Sequence, residues 1–245
     1  MDLEEVKVKL SREALKDLEE YIHSAEVIGL GSGSTIKYFI NELVKRELHV
    51  GKIIVSTSID TTLYALSLGL KNIADLTAVN YIDVYIDGAD EVSSKLDLVK
   101  GRGGAFIGEK LVAARSRHRF YIVDYTKYTN LPYLLHSPIP IAVVSKAIPW
   151  ILRELELNGL FKPIIRAGGG KLLPIITDEG FPIIDLVHEK PISDADTLNR
   201  TLKSIIGVVE TGLFPNKLVS KVYVGYMDKV EIIEKTKLDT HRALQ

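Results

Sequence analysis

The sequence predicts an α/β fold: a Rossmann-like open α/β sheet domain with a second, smaller ferredoxin-like α+β domain. Three observations carry that expectation. Short β-branched strands, each followed by a loop and a helix, succeed one another through roughly the first 130 residues. At about residue 131 the texture changes to LPYLLHSPIP, a Pro-rich crossing into a second unit. Beyond it the elements run β-α-β-β-α-β, the order of a split βαβ unit. The expected division is 1–132 with 207–245 for the Rossmann-like catalytic domain, and 133–206 for the ferredoxin-like lid domain. A chain of 245 residues, 46% hydrophobic and 26% charged, can bury such cores.

Taken in order, residues 12–22 (REALKDLEEYI) set Ala14, Leu15, Leu18, Tyr21 and Ile22 on one helical face, with Ser11 as the expected N-cap. Residues 26–30 form a strand, Gly31-Ser32-Gly33-Ser34-Thr35 a loop, and IKYFINELVKREL a helix. A second βα unit runs from Ile53-Ile54-Val55 to a helix over 60–68, and residues 72–76 follow it. The run Val84-Tyr85-Ile86 then reads as a buried strand ending in Asp87-Gly88-Ala89-Asp90-Glu91, which brings three carboxylates to its C-terminal edge. Residues 96–99 lead Lys100 into the turn Gly101-Arg102-Gly103-Gly104. The next helix carries Glu109 in or near its first turn and continues through LVAARSRHR. The strand over 120–123 ends at Asp124, with Lys127 just beyond.

In the second unit the expected elements are a strand IPIAVV, a helix through WILRELEL ending at Asn158-Gly159, and a strand KPIIRAG. PIIT and FPIIDL pair as a hairpin through Asp178-Glu179-Gly180. A helix with Asp194 or Asp196 near its start runs to about Ser204. Strands at 208–210 and 222–226 close the chain, one or both returning to the first sheet.

Strand, Gly/Ser/Thr loop and helix together make an anion site, because backbone N–H groups at a helix start lack intrahelical partners. The hydroxyls of Ser32, Ser34 and Thr35 add donors suited to a phosphate. A dinucleotide is the competing guest, but Gly29-Leu-Gly31-Ser-Gly33 lacks G-x-G-x-x-G spacing, and no G-K-[ST] of a nucleotide P-loop follows. A monophosphate is the more economical reading. Lys127, past the end of a neighbouring strand, is a candidate phosphate counter-charge as well as an ordinary solvated lysine. Asp-Gly and Gly-Gly are also common turn punctuation, so the joint presence of these motifs, not any single one, points to an active site.

Bulk properties exclude other classes. A net charge of −1 provides no positive field for nucleic acid. Zero Cys removes disulfides, thiolate nucleophiles and cysteine-ligated metals. MDLEEVKVKL has no signal-peptide core and no apolar run is long enough to span a bilayer, so a soluble, cytoplasmic protein without a membrane partner is expected. The 6 His show no metal-ligand spacing. Asp87, Asp90 and Glu91 could hold a divalent cation, yet the spacing of a calcium loop is missing, and neither metal nor cofactor is expected. Gln occurs only at Gln245, with 2 Met and no Cys, a depletion that suggests a thermophile.

Together, Gly31-Ser-Gly-Ser-Thr35, Asp87-Gly-Ala-Asp-Glu91, Lys100-Gly-Arg-Gly-Gly-Ala105, Glu109-Lys110 and Asp124-Tyr-Thr-Lys127 resemble, in order and spacing, the A-type ribose-5-phosphate isomerase family. Ile176-Thr-Asp-Glu-Gly180, Ile184-Asp185 and Gly207-Val-Val-Glu-Thr-Gly-Leu-Phe214 extend the likeness over nearly the whole chain. The resemblance implies metal-free interconversion of ribose 5-phosphate and ribulose 5-phosphate through an enediol, by a homodimer or homotetramer. It implies Glu109 as the proton acceptor, with Lys100 and the backbone of Gly101, Arg102 and Gly103 stabilising sugar oxygens. Asp87 and Asp90, with the Gly88-Ala89 backbone between them, would meet sugar hydroxyls and assist ring opening. Ser32, Gly33, Ser34, Thr35 and Lys127 would meet the phosphate. Two departures stand out: Arg102 replaces a glycine the family often has, and Lys9 is the nearest candidate for an N-terminal lysine at the phosphate.

Two other functions compete. A sugar-phosphate sensor that binds without chemistry would carry a DNA-binding segment, and none is visible in residues 1–25. Keeping both Lys100 and Glu109 also favours catalysis, since a binder needs no base. A Rossmann oxidoreductase would bind a nicotinamide, which NADH fluorescence would report.

Overall fold

The computed structural model describes residues 2–168 and 174–234. The elements are α1 (Leu3–Asp17), α2 (Glu19–Ser24), β1 (Val27–Leu30), α3 (Ser34–Lys45), β2 (Ile53–Ser56), α4 (Ile59–Ser67), β3 (Ile73–Ala74) and β4 (Ile82–Asp87). Then come β5 (Glu91–Val92), β6 (Leu98–Val99), α5 (Phe106–Arg115), β7 (Ser116–Asp124), β8 (Ile139–Val143), α6 (Ile148–Leu157) and β9 (Lys162–Ile165). The chain closes with β10 (Ile183–Val187), α7 (Ala195–Ser204), β11 (Val208–Thr211), β12 (Leu213–Phe214), β13 (Lys221–Gly225) and β14 (Val230–Glu234).

These elements form two compact units. The first comprises the chain up to Gly88, Val112–Tyr128 and the segment from Lys217 onward. Its seven-stranded sheet has the order β14-β13-β7-β4-β1-β2-β3, parallel except for the β13–β14 pair. This is the open α/β sheet expected, and its central strands read as continuous apolar runs because both faces are covered: β1 is buried throughout. Leu10, Ala14 and Leu15 of α1 and Phe39, Ile40 and Leu43 of α3 pack on Ile28, Val84, Ile86, Phe120 and Ile122. Each such side chain contributes about 1.5–3 kcal/mol on burial. The chain proceeds from β1 to β2 and β3 on one side and places β4, β7 and β13 on the other, so the switch point falls between β1 and β4.

The second unit comprises Ala89–Leu111 and Thr129–Asn216. Residues 139–211 follow the order β-α-β-β-α-β and make an antiparallel sheet, β11-β8-β10-β9. Ile139, Ile141 and Val143 pack with Ile151, Leu155, Ile184, Leu186 and Leu202. A small sheet, β12-β6-β5, lies in the same unit.

Several boundaries depart from expectation. The first helix starts at Leu3, because Asp2 and Glu5 form a capping box: Asp2 accepts the Glu5 N–H at 2.9 Å and Glu5 accepts the Asp2 N–H at 3.2 Å. Ser11 is therefore interior and buried, its hydroxyl donating to the Thr35 carbonyl at 3.3 Å. Helix α5 stops at Arg115, not within SRHR, where the Ser116 hydroxyl donates back to the Val112 carbonyl at 2.6 Å and the chain turns directly into β7. PIIT forms no strand. Its residues pair with 181–183 through one bridge, Ile176–Pro182, and a turn in which the Gly180 N–H donates to Thr177. Pro174 and Pro182 lack the N–H groups a longer ladder needs. Of the two closing strands expected, β13 joins the large sheet and β11 pairs with β8.

Candidate active site

In the first unit, three neighbouring parallel strands, β1, β4 and β7, end at the same sheet edge. Beyond β1 lies the loop of Gly31, Ser32 and Gly33, held from three directions. The Gly31 N–H donates to the Ile86 carbonyl at 2.9 Å, and the Thr61 hydroxyl donates to the Gly31 carbonyl at 2.8 Å. The Ser32 N–H donates to Asp87 Oδ1 at 3.1 Å. Asp87, fully buried at the end of β4, also accepts the Gly88 N–H at 2.7 Å and the Tyr85 hydroxyl. A Cβ on Gly31 would stand 1.9 Å from Asp87 Oδ1, so only glycine allows this approach.

Gly33 stands at the N-cap of α3 and no side chain caps that end. The first-turn N–H groups at Ser34 and Thr35 thus point at the loop as anion donors. Lys7 reaches the same place, donating to the Ser34 hydroxyl at 3.1 Å and pairing with Glu4 at 2.8 Å. Lys9, the nearest candidate in the sequence, donates to the Asp228 carbonyl at 2.6 Å. The two lysines differ because residues two apart on a helix face about 200° apart. Beyond β7, Asp124 caps a single turn by accepting the Thr126 N–H at 3.0 Å, and Lys127 ends that turn, half-buried.

In the second unit, Lys100 follows β6 and Glu109 lies in the first turn of α5, as expected. Lys100 Nζ stands 3.2 Å from Glu109 Oε2, with each residue only 3% exposed. Such a pair combines a carboxylate able to take a proton with an ammonium able to face an oxyanion. The intervening residues, Gly101 to Gly104, form a turn closed by the Gly104 N–H on the Gly101 carbonyl at 3.0 Å. Gly101 has φ +102°, and a Cβ there would meet Phe106 at 2.6 Å. The Arg102 N–H donates to Asp90 Oδ2 at 2.9 Å, while the Arg102 and Gly103 residues are exposed. Asp90 and Ala89 are half-buried.

Glu91 departs from the carboxylate trio expected at the strand edge. It is buried and accepts the N–H groups of Leu135, His136 and Ser137 at 2.6, 2.9 and 2.6 Å, a structural role. Among the described residues, no three His, Cys, Asp or Glu side chains gather as a metal site, and no helix is long and apolar enough to cross a membrane.

Two of the sequence motifs, Glu109-Lys110 and 207–214, meet in a polar network beside the pair. Lys110 donates to Asn199 at 3.2 Å, Glu210 at 2.8 Å and the Thr211 carbonyl at 2.6 Å. The Phe214 ring lies 5.7 Å from the Lys100 ammonium and 5.0 Å from that of Lys110. Burial pushes the Glu210 carboxyl up, but Lys110, Lys203 and the Thr211 N–H outweigh it and hold the group below the usual glutamate range. No sequence motif marks Thr61 or Tyr85 as part of the site, and for Lys7 the one signal is the capping box at Asp2 and Glu5.

A family model described as ribose 5-phosphate isomerase A (phosphoriboisomerase A) matches residues 53–229. The chain is 40% identical over 229 residues to the ribose-5-phosphate isomerase A of Limosilactobacillus reuteri, covering 92% of this chain and 95% of that one. The solved ribose 5-phosphate isomerase A of Methanocaldococcus jannaschii superposes with a TM-score of 0.85 at 34% identity, covering 96% of this chain and all (100%) of that one. A D-ribose-5-phosphate isomerase solved in complex with phospho-erythronic acid gives a TM-score of 0.87 at 38% identity, with coverage of 96% and 100%.

Proposed function

The chain belongs to the ribose 5-phosphate isomerase A family, and from that premise we propose that it interconverts D-ribose 5-phosphate and D-ribulose 5-phosphate through an enediol, without a metal ion. The observation that carries the reading is the buried Lys100–Glu109 pair, 3.2 Å apart. Two buried charges cost several kcal/mol each in desolvation, which simple recognition of a sugar phosphate would not require.

In this reading the Glu109 carboxylate takes the C2 proton of the open-chain aldose. The C2 electrons form the C1–C2 double bond, and the charge passes to the aldehyde oxygen, where the Lys100 ammonium offsets it. The O2 proton moves to O1 and Glu109 returns its proton to C1, giving the ketose. Gly101, Arg102, Gly103, Asp90 and the Gly88-Ala89 backbone hold sugar oxygens. Ser32, Gly33, Ser34, Thr35 and Lys127, joined by Lys7, hold the phosphate. Asp87 meets a sugar hydroxyl and assists ring opening, and its bond to the Ser32 N–H braces the phosphate loop as well.

A homodimer or homotetramer, cytoplasmic residence and a thermophilic source belong to the same proposal. The exposed apolar row Ile59, Leu63 and Leu66 on α4 supports self-association. The absence of Cys and the 2 Met support the source.

The test is conversion of ribose 5-phosphate by purified protein in excess EDTA, alongside Glu109→Gln. Turnover under chelation, abolished in the variant with the sugar phosphate still bound, is the expected result. Recovery only on adding a divalent ion would overturn metal independence. Binding without turnover in the unaltered protein would replace the isomerase with a sensor.

A further inference from the structure

Arg166 lies one residue beyond β9 and is engaged along both edges of its guanidinium. Nε and Nη2 hold the two oxygens of Asp185 at 2.8 and 2.5 Å, a bidentate pair within the second unit. Nη1 donates to the Gly101 carbonyl at 2.8 Å and to the Arg102 carbonyl at 3.1 Å. The backbone beneath is fixed as well: the Arg166 N–H donates to Ile183 and its carbonyl accepts the Ile175 N–H, both at 2.8 Å. The two side chains are only 15% and 21% exposed.

What this clamp holds is the turn after Lys100. In a trans peptide the C=O and N–H of one unit point in opposite directions. Tying the Gly101 carbonyl to Arg166 therefore aims the Arg102 N–H the other way, where it meets Asp90 Oδ2 at 2.9 Å. Tying the Arg102 carbonyl aims the Gly103 N–H by the same rule. Asp185, Arg166, two peptide planes and Asp90 form one continuous series of charge-assisted hydrogen bonds.

We propose that Arg166 is a positioning residue for the isomerisation, setting the aim of the Gly101–Gly103 backbone and of Asp90 through the Gly101 and Arg102 carbonyls, with Asp185 fixing its guanidinium. The inference rests on the isomerase reading above and adds to it a pair that acts through the backbone of the turn after Lys100. Lysine keeps the charge but has no planar fork, so it cannot hold a carboxylate and two carbonyls at once.

The test is a double-mutant cycle on kcat and KM for ribose 5-phosphate, with Arg166→Lys, Asp90→Asn and the double variant, each normalised to folded protein by thermal unfolding. Arg166→Lys should lower kcat/KM by on the order of 10- to 100-fold, the scale of a misplacement near 1 Å. In the Asp90→Asn background the same substitution should cost less than about 3-fold, because both act through one series. Wild-type kcat/KM per folded molecule in Arg166→Lys, or an equal loss in both backgrounds, overturns the proposal. Should Arg166→Lys fail to fold, Asp185→Asn enters the same cycle with a smaller loss of the same pattern expected, and additivity there overturns it equally. An unaltered enzyme that is inactive in this assay refutes the isomerase reading instead.

Discussion

Replacing Gly31 by alanine should cost both stability and substrate affinity. The new Cβ would lie 1.9 Å from Asp87 Oδ1, 2.0 Å from its Cγ and 2.6 Å from its Cβ. The last distance matters most, because rotating χ1 moves the carboxylate but not the Cβ, so backbone must yield. If the loop lifts, the Ser32 N–H loses Asp87 at 3.1 Å, the Gly31 N–H loses Ile86 at 2.9 Å and Thr61 loses the Gly31 carbonyl at 2.8 Å. One bond to a charged group at about 1.5–3 kcal/mol and two neutral ones at about 0.5–1.5 each sum to roughly 2.5–6 kcal/mol. Against a typical total of about 5–15 kcal/mol, this is about a quarter or more of the stability of an average domain. Urea unfolding monitors the first effect and KM for ribose 5-phosphate the second, with a rise of about 10-fold for each 1.4 kcal/mol of lost phosphate binding. Gly31→Ala within 1 kcal/mol of wild type on both scales, a limit well below the ~2.5 kcal/mol minimum expected, would refute the bracing of the loop by Asp87.

Other perturbations follow from buried carboxyls. Glu91→Ala strands three N–H groups now held at 2.6–2.9 Å, and should destabilise by about 3–5 kcal/mol in urea, a loss under ~1 counting against the structural role. Burial pushes the Asp97 carboxyl up against the opposing Asn216 N–H. Its contribution is therefore full below the ordinary carboxylate pKa and lost as pH rises through the raised folded value. Asp97→Asn should be more stable than wild type at pH 7, with the difference vanishing near pH 3; no pH dependence in the difference would contradict this. Glu210 titrates the opposite way, being held low by Lys110 and Lys203. Its contribution is present above the ordinary glutamate pKa and lost as pH falls through the lower folded value. Unfolding curves of wild type and Glu210→Gln should converge in acid and separate at neutral pH.

Local patterns in the sequence were sufficient where chemistry is compressed into a few consecutive residues. The four buried residues of β1, the Gly/Ser/Thr loop, and Glu109 in the first turn of α5 all fall where the strand and glycine signals placed them. Asp194 caps α7 by accepting the Thr197 N–H at 2.9 Å. What could not be read depends on distant register. The choice of Lys7 over Lys9 turns on a helix start set by the capping box of Asp2 and Glu5. Arg166 gains its place from a turn more than sixty residues earlier, |i−j| being 65 to Gly101, and nothing in KPIIRAG points to it. β5, β6 and β12 have two residues each, too few for any periodicity. Glu91 shares a pentapeptide with Asp87 and Asp90, yet its pairing opposite Val99 takes it into the interior.

The interrupted sheet of the first unit has a consequence for synthesis. β13 pairs with β7 across about a hundred residues, as in Lys221 opposite Phe120, and α1 packs so closely over it that a Cβ on Gly225 would meet Leu10 at 2.9 Å. A ribosome delivering the chain from its N-terminus completes the β11-β8-β10-β9 sheet, which ends at Thr211, before β13 exists. Until then one apolar edge of β7 and part of the inner face of α1 have no native partner. The earliest-made helix is among the last to be fully buried, and nascent chains cut short before residue 221 should be the aggregation-prone species.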